Sequence, residues 1–350
     1  MRNPGIHLLL LAILISSGVA SASQNDNSSA SKPKKETAIL SSAAAPSSAD
    51  QIENWKSLSD ITTGLQPRPP FPVQKDDMPG FVRELIRVQW RMGDPIDLWV
   101  VRPKTSAKVP VILYLYSYPK DPDQFRDNGW CERATAGGFA AVGFASALSG
   151  QRYAYRAMKK WFVSEIVESM GSSAHDVQLV LNYLADRGDI DLDHAGMIGM
   201  GSGASIAILA AEADPRIKAL DLLDPWGDWP DWMRESPAIP ENERPGYETE
   251  EFLKSAAAVD PVAYLPLLSN RSLRLQQTWN EPVTPTDAKE RIAAATPKSI
   301  QFVKYSNAQD LLKAWQAYGL SGWIKQQLRS ETQPDEKMSG LPTDSNSPRN

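Results

Sequence analysis

The stretch Gly196-Met197-Ile198-Gly199-Met200-Gly201-Ser202-Gly203-Ala204 restricts what this chain can become more than any other. Apolar residues lead into alternating glycines, and Ser205-Ile206-Ala207-Ile208-Leu209-Ala210-Ala211 follows. The pattern predicts a buried strand, a sharp turn and a helix. Small residues at Ala204, Ala207 and Ala211 mark the helix face that packs inward. The turn is not a phosphate cradle. It lacks the lysine of a P-loop, and the last glycine of a dinucleotide fingerprint would fall on an isoleucine.

At 350 residues and 42% hydrophobic content, the chain can build one large core with tails. The net charge is −5, and no basic run exceeds Lys34-Lys35 or Lys159-Lys160. That argues against a nucleic-acid partner, which needs a basic footprint. Arg2, the apolar run Leu8–Ile15 and Ala20-Ser21-Ala22 read as a secretory signal peptide over 1–22, cleaved after Ala22. As a helix, Leu8–Ile15 would rise about 12 Å, well short of a bilayer core of roughly 30 Å. The expected location is therefore secreted or periplasmic, with no membrane span. The single cysteine, Cys131, allows no internal disulfide and reads as core packing.

Residues 23–50 are rich in Ser, Ala and Lys and read as a disordered linker. The domain is placed at 51–329. Trp55, Leu58, Ile61 and Leu65 stand at helical spacing, ahead of an extended strap with Pro67, Pro69, Pro70 and Pro72. A hairpin is predicted over 81–101, and buried strands at 109–115, 139–145, 219–223, 272–278 and 299–305. Helices are predicted at 130–136, 173–187, 285–295 and 309–328. The segment 225–266 is too long for a plain connection and reads as a lid with its own helix at 248–257. Residues 330–350 read as a disordered tail. The fold class is α/β: a mostly parallel central sheet with helices on both faces, opened by an antiparallel hairpin.

From about Phe81 to Leu328 this order of elements resembles the α/β-hydrolase superfamily, most closely its dienelactone hydrolase and prolyl oligopeptidase-like esterase branch. The Gly-rich turn is similar to that family's nucleophile elbow, Gly-x-Ser-x-Gly, with Gly199 and Gly203 as the outer glycines. Asp176–Leu184, followed by Asp189-Ile190-Asp191-Leu192-Asp193-His194, is similar to the helix and Asp-rich turn preceding it. Trp279-Asn280-Glu281 resembles the turn that carries the acid. Val303-Lys304-Tyr305-Ser306-Asn307-Ala308-Gln309 resembles the turn that carries the histidine.

The resemblance implies an elbow hydroxyl, an imidazole to take its proton and a carboxylate to orient that imidazole. Those positions hold Gly201, then Ala308 or Gln309, then Glu281. Glycine cannot attack, and neither alanine nor glutamine accepts a proton near neutral pH. The expectation is a degraded triad and a protein that acts by binding a small molecule, carbohydrate or protein partner. The alternative is an active esterase-like hydrolase with a displaced nucleophile, Ser202 or Ser205, and His175 as base. His194 precedes the elbow strand and falls at its far end. Of the two oxyanion donors the resemblance implies, the N–H of Ser202 remains, and the other falls in Tyr116-Ser117-Tyr118-Pro119. Trp226, Trp229 and Trp232 in the lid, with Trp279 beside the acid turn, either bury one another and clamp the lid or are candidate stacking surfaces for a flat ligand such as a sugar. No His-x-x-x-His or Cys-x-x-Cys spacing exists, so no metal is assigned, and no cofactor is expected.

Overall fold

The computed structural model describes residues 53–330, apart from 60, 62–64, 66, 92, 121, 149–151 and 153–160. The predicted signal peptide (1–22), the linker (23–50) and nearly all of the predicted tail (330–350) lie outside the described residues.

A nine-stranded sheet runs through the domain in the order β1-β2-β3-β5-β4-β6-β7-β8-β9. The strands are β1 (Phe71–Asp77), β2 (Phe81–Arg91), β3 (Asp94–Pro103), β4 (Val109–Leu115), β5 (Ala140–Phe144), β6 (Ile190–Met200), β7 (Ile217–Leu223), β8 (Ser272–Thr278) and β9 (Gln301–Tyr305). β1, β2, β3 and β5 pair antiparallel in succession. From β5 through β4 to β9 every pairing is parallel. The central strands are near-continuous apolar runs, as parallel strands buried on both faces must be. β5 is Ala-Ala-Val-Gly-Phe and buried throughout.

The prediction had no β1, and its proline strap ends where that strand begins. β1 is an exposed edge, with Phe71 64% and Val73 44% accessible. Charge rather than apolar alternation fixes it. Lys75 lies opposite Glu84 and Asp76 opposite Arg83, joined by ion pairs of 3.3 and 2.6 Å. A charged edge also resists pairing with another chain.

The helices are α1 (Asn128–Thr135), α2 (Ile166–Arg187), α3 (Ser202–Ala213), α4 (Trp229–Glu235), α5 (Arg244–Tyr247), α6 (Glu250–Ala256), α7 (Pro261–Tyr264), α8 (Thr286–Ala295), α9 (Ala308–Tyr318) and α10 (Gly322–Ser330). α2 and α3 join one core cluster with Val111, Leu113, Met197 and Leu220. Ile324 and Leu328 of α10 join the other, with Phe125, Phe139 and Cys131. Cys131 is fully buried and its thiol points at the Phe125 carbonyl, 3.2 Å away. Glycines admit close approach here: a Cβ on Gly196 would stand 2.9 Å from Ile324 Cδ1.

Three boundaries differ from expectation. The closing helix is two helices, because Gly319 takes a φ of 74° and its N–H turns back to the Trp315 carbonyl. The lid contains four short helices, α4 to α7, rather than one. Residues 53–59 form turns instead of the predicted helix: the Ser57 N–H closes on the Asn54 carbonyl at 3.0 Å, and later carbonyls bond to α2. His175 and Gln178 of α2 meet the Ser57 and Leu58 carbonyls at 3.1 Å each. The Trp55 carbonyl lies 2.3 Å from where a Cβ on Gly171 would be. This segment covers the outer side of α2, so Ser172, Ser173, His175 and Asp176 are fully buried.

Candidate functional site: a glycine elbow under a tryptophan lid

The turn between β6 and α3 has the tight geometry its glycines predict. A Cβ on Gly199 would stand 2.5 Å from Ala204 Cα, and one on Gly203 would stand 2.3 Å from the Leu115 carbonyl oxygen. Neither site tolerates a side chain. Gly201 occupies φ 52°, ψ −122°, a conformation that costs any other residue strain. A Cβ there would meet Ser117 Oγ at 2.3 Å and Trp226 Nε1 at 3.2 Å. The volume above the turn, where a nucleophile would project, is occupied by Ser117 and the Trp226 indole.

Neither displaced serine faces open space. Ser202 is fully buried, and its hydroxyl accepts the Tyr118 N–H at 2.8 Å. That N–H is one of the amides the sequence offers as an oxyanion donor. Ser205 is also fully buried and donates to the Trp226 carbonyl at 2.5 Å. His175 is fully buried in α2, with Nδ1 2.5 Å from Glu53 and Nε2 3.1 Å from the Ser57 carbonyl. It makes no hydrogen bond to Ser202 or Ser205. His194 lies inside β6 (Ile190–Met200) rather than ahead of it, because the strand starts at Ile190 and takes in the Asp-rich segment, and it pairs with Asp191 at 2.7 Å. The structure therefore does not bring these serines and His175 together.

At the other triad positions the residues serve the turns they stand in. Glu281 follows β8, and its carboxylate accepts the N–H groups of Val283 and Thr284 at 2.7 and 3.2 Å. The ammonium of Lys289, buried beneath, donates to the carbonyls of Thr278, Trp279 and Glu281. Burial holds the Lys289 pKa below its usual value. Ala308 and Gln309 open α9, which Asn307 caps by accepting the Gln309 and Asp310 N–H groups.

The sequence reading passed over Asp224. It ends β7, takes φ 46°, and accepts the Thr278 N–H at 2.6 Å, tying the carboxyl ends of β7 and β8 together. Burial pushes its pKa up to about 7, and the nearby Glu281 carboxylate adds to the rise. The available signal was an aspartate directly after the strand-like segment Ala219–Leu223, just before Pro225.

The lid tryptophans are buried against one another. Trp226, Trp229 and Trp232 are 6%, 1% and 0% exposed. Trp232 packs against both others, with ring centroids at 5.2 and 5.6 Å. Of the two readings of these rings, their burial and mutual packing favour a clamp on the lid over open stacking faces. Asp260 holds the loop by accepting the Asp228 and Trp229 N–H groups at 2.9 Å each. Arg291 of α8 pairs with Asp228 and Asp231 at 3.1 and 2.8 Å. Trp279 is half-buried, with the Lys304 ammonium 3.1 Å over its ring.

Beside the buried tryptophans a groove of about 1060 Å³ remains open between the lid and the start of α2. Tyr118, Trp161, Glu243, Tyr247 and Phe252 line it. Among the described residues no group of His, Cys, Asp or Glu could hold a metal, and no helix is long and apolar enough to cross a membrane.

Two expected outcomes follow from this geometry. Gly201→Ser must displace Ser117 and adopt a strained backbone, so it should lower stability by about 1–3 kcal/mol in urea unfolding. Asp224→Asn keeps the acceptor for Thr278 and tolerates positive φ. The folded pKa of Asp224 lies above the unfolded one, so its contribution falls as pH rises from about 4 to about 7. The asparagine variant should therefore melt higher than the parent at pH 8.5, with the difference shrinking or reversing at pH 4.5.

Comparison with known proteins agrees with the architecture. No curated protein matches the chain at a significant level. An acetyl xylan esterase from a Paenibacillus species superposes with a TM-score of 0.57 at 16% identity, over 75% of this chain and 92% of that one. An acetyl xylan esterase from a Thermoanaerobacterium species gives 0.56 at 14% identity, over 74% and 90%. A dienelactone hydrolase of Klebsiella pneumoniae, so described provisionally, gives 0.48 at 16%, over 74% and 100%. For the two acetyl xylan esterases, at such identities, the likeness is one of fold. Residues 93–329 match the X-Pro dipeptidyl-peptidase (S15 family). The chain belongs to that family and carries its α/β-hydrolase fold.

Proposed function

We propose that this S15-family chain is an exported protein that has lost serine-hydrolase chemistry and works by binding a ligand or partner. One observation carries the reading: the position of the attacking residue is Gly201, and Ser117 and Trp226 fill the space its side chain would need. The histidine count supports it. The chain has three histidines, His7, His175 and His194, and all precede the elbow. Acyl transfer needs a base within hydrogen-bond reach of the hydroxyl it activates. The hydroxyls of Ser202 and Ser205 are already engaged by Tyr118 and Trp226. An oxyanion hole also requires free donors aimed at the developing charge, and the Tyr118 N–H is turned to Ser202 instead.

Labelling with a fluorophosphonate probe tests the loss of activity. The expected result is no covalent adduct by mass spectrometry, and p-nitrophenyl acetate turnover equal to that of Ser202→Ala and Ser205→Ala controls. A burst that either alanine variant abolishes would overturn the reading. Export rests on Arg2, the apolar run Leu8–Ile15 and Ala20-Ser21-Ala22. Mass spectrometry of protein recovered from outside the cytoplasmic membrane should find a mature N-terminus at Ser23. A retained Met1 would remove export from the proposal.

A further inference from the structure

The open groove is not a plain apolar slot. Its rings surround a carboxylate. Glu243 stands between Trp161 and Tyr247, and Oε2 accepts the Trp161 indole N–H at 3.1 Å and the Tyr247 hydroxyl at 2.8 Å. Trp161 Nε1 also lies 3.0 Å from the Tyr247 oxygen, closing a three-member cluster. Both donors are neutral. Among the described residues no lysine, arginine or histidine forms an ion pair with Glu243. Two neutral donors orient a carboxylate without cancelling its charge. Burial and the Glu243 carboxylate push the Tyr247 pKa up to about 12, so the phenol stays a donor across the physiological range.

The rings have a defined arrangement. Trp161 and Tyr247 meet edge-on with centroids 6.5 Å apart, and Tyr247 packs on Phe252 at 5.2 Å. Tyr118 closes the inner end of the groove, one residue from Ser117, which fills the elbow. The lid segment 241–251 contributes Glu241, Glu243, Glu248, Glu250 and Glu251 against one cation, Arg244. Arg244 is turned to the Ser236 carbonyl at 3.2 Å. Glu250 and Glu251 stand in the first turn of α6, where the helix dipole favours acids whatever the groove holds. Glu243 has no such role. It precedes the four-residue helix α5, and its side chain makes no capping bond there.

We infer that the groove bounded by Trp161, Glu243, Tyr247 and Phe252 is a binding site for an organic cation, an alkylated or aromatic ammonium with an apolar body. Aromatic faces attract a cation through their quadrupoles, and more strongly once it is desolvated. The carboxylate at the groove wall supplies the counter-charge. The apolar body replaces water along Phe252 and Tyr118. The volume of about 1060 Å³ exceeds a bare ammonium by far, so the ligand carries substantial mass beyond its charge. This assignment gives the binding role proposed above a chemical class and rests on that reading.

The test compares benzyltrimethylammonium with its neutral isostere, neopentylbenzene, and with benzoate. Binding to the mature full chain is followed by ligand-observed NMR and tryptophan fluorescence. The cation should bind at least tenfold more tightly than the neutral isostere, and benzoate should not bind. Glu243→Gln retains an acceptor for Trp161 and Tyr247 while removing the charge. It should weaken the cation at least tenfold, leave the isostere unchanged and keep the parental melting temperature. Trp161→Leu should weaken both ligands. Equal affinity for cation and isostere, cation binding unaltered in Glu243→Gln, or no binding of the cation at millimolar concentration would each overturn the assignment. Fluorophosphonate labelling of the same preparations separates the two proposals. Labelled protein that still binds the cation through Glu243 would sink the non-catalytic reading and leave the cation site standing.

Discussion

Backbone contact without side chains, at the turn from β6 into α3, is the constraint on which the rest of this domain depends. The Gly203 α-carbon faces the Leu115 carbonyl and the Gly199 α-carbon faces Ala204. A methyl group at either place would push the central strand off its helix or off β4. The Gly201 N–H is bonded to the end of β7 at 2.9 Å, and the Gly201 carbonyl accepts the Ala204 N–H at 3.0 Å. Three strands and one helix are therefore positioned by four or five residues of turn. Such a turn is demanding to make and needs no catalytic residue to persist. Its outer glycines are required by packing, and its middle residue only has to adopt positive φ, which glycine does without strain. The fold uses the outer glycines whatever residue stands between them.

A second constraint holds the opposite flank of α2 in place. Asp176, fully buried, is paired with Arg91 of β2 and with Arg152. Arg91 reaches Glu53 at 2.5 Å, and Arg152 also pairs with Asp94. Burial alone would raise the carboxyl pKa of Asp176. The two guanidiniums reverse that and hold it at about 2. Ions placed so deep are costly to desolvate, by several kcal/mol each, and persist because every partner is present. The network joins the segment at 53–59, the β2–β3 hairpin and α2. The only histidine ahead of the elbow turn on this helix, His175, belongs to it through Glu53. Its burial under that segment serves the packing of α2 rather than any reaction at the sheet edge.

These two constraints explain what the sequence shows and what it hides. Alternating glycines, apolar strand runs and the spacing of small residues in α3 are local signals of backbone proximity, so the mostly parallel sheet, its antiparallel start and the tight turn of the elbow were legible. β1 was not, because charge pairing with β2 defines it, and Lys75 opposite Glu84 is a long-range fact. The break in the closing helix rested on one residue, Gly319, whose freedom is visible only when the chain uses it. Residues 53–59 carry a helical apolar rhythm, but their carbonyls are taken by His175 and Gln178, far along the chain. At the site, absences were legible and orientations were not. Gly201 is plain in the letters. That Ser117 fills the space beside it is a product of the loop after β4. The tryptophans of the lid read equally well as a platform or a plug, and only their mutual burial decides between them. Glu243 and Trp161 are 82 residues apart and gave no joint signal.

The polar groups buried around the elbow each need a partner inside the fold. Asp224 shows one solution. Its carboxyl lies against the β8 backbone and stays partly protonated near neutrality, because burial outweighs the Thr278 hydrogen bond. Ser202 and Tyr118 show another, pairing a hydroxyl with the amide that would otherwise be left unsatisfied in a dry site. Solvent access shifts outward to the rim, where the aromatic groove begins at Tyr118. The same loop fills the space beside Gly201 through Ser117 and lines the open groove through Tyr118. A substitution at Ser117 acts on both, which couples the sealing of the elbow to the shape of the groove beyond it.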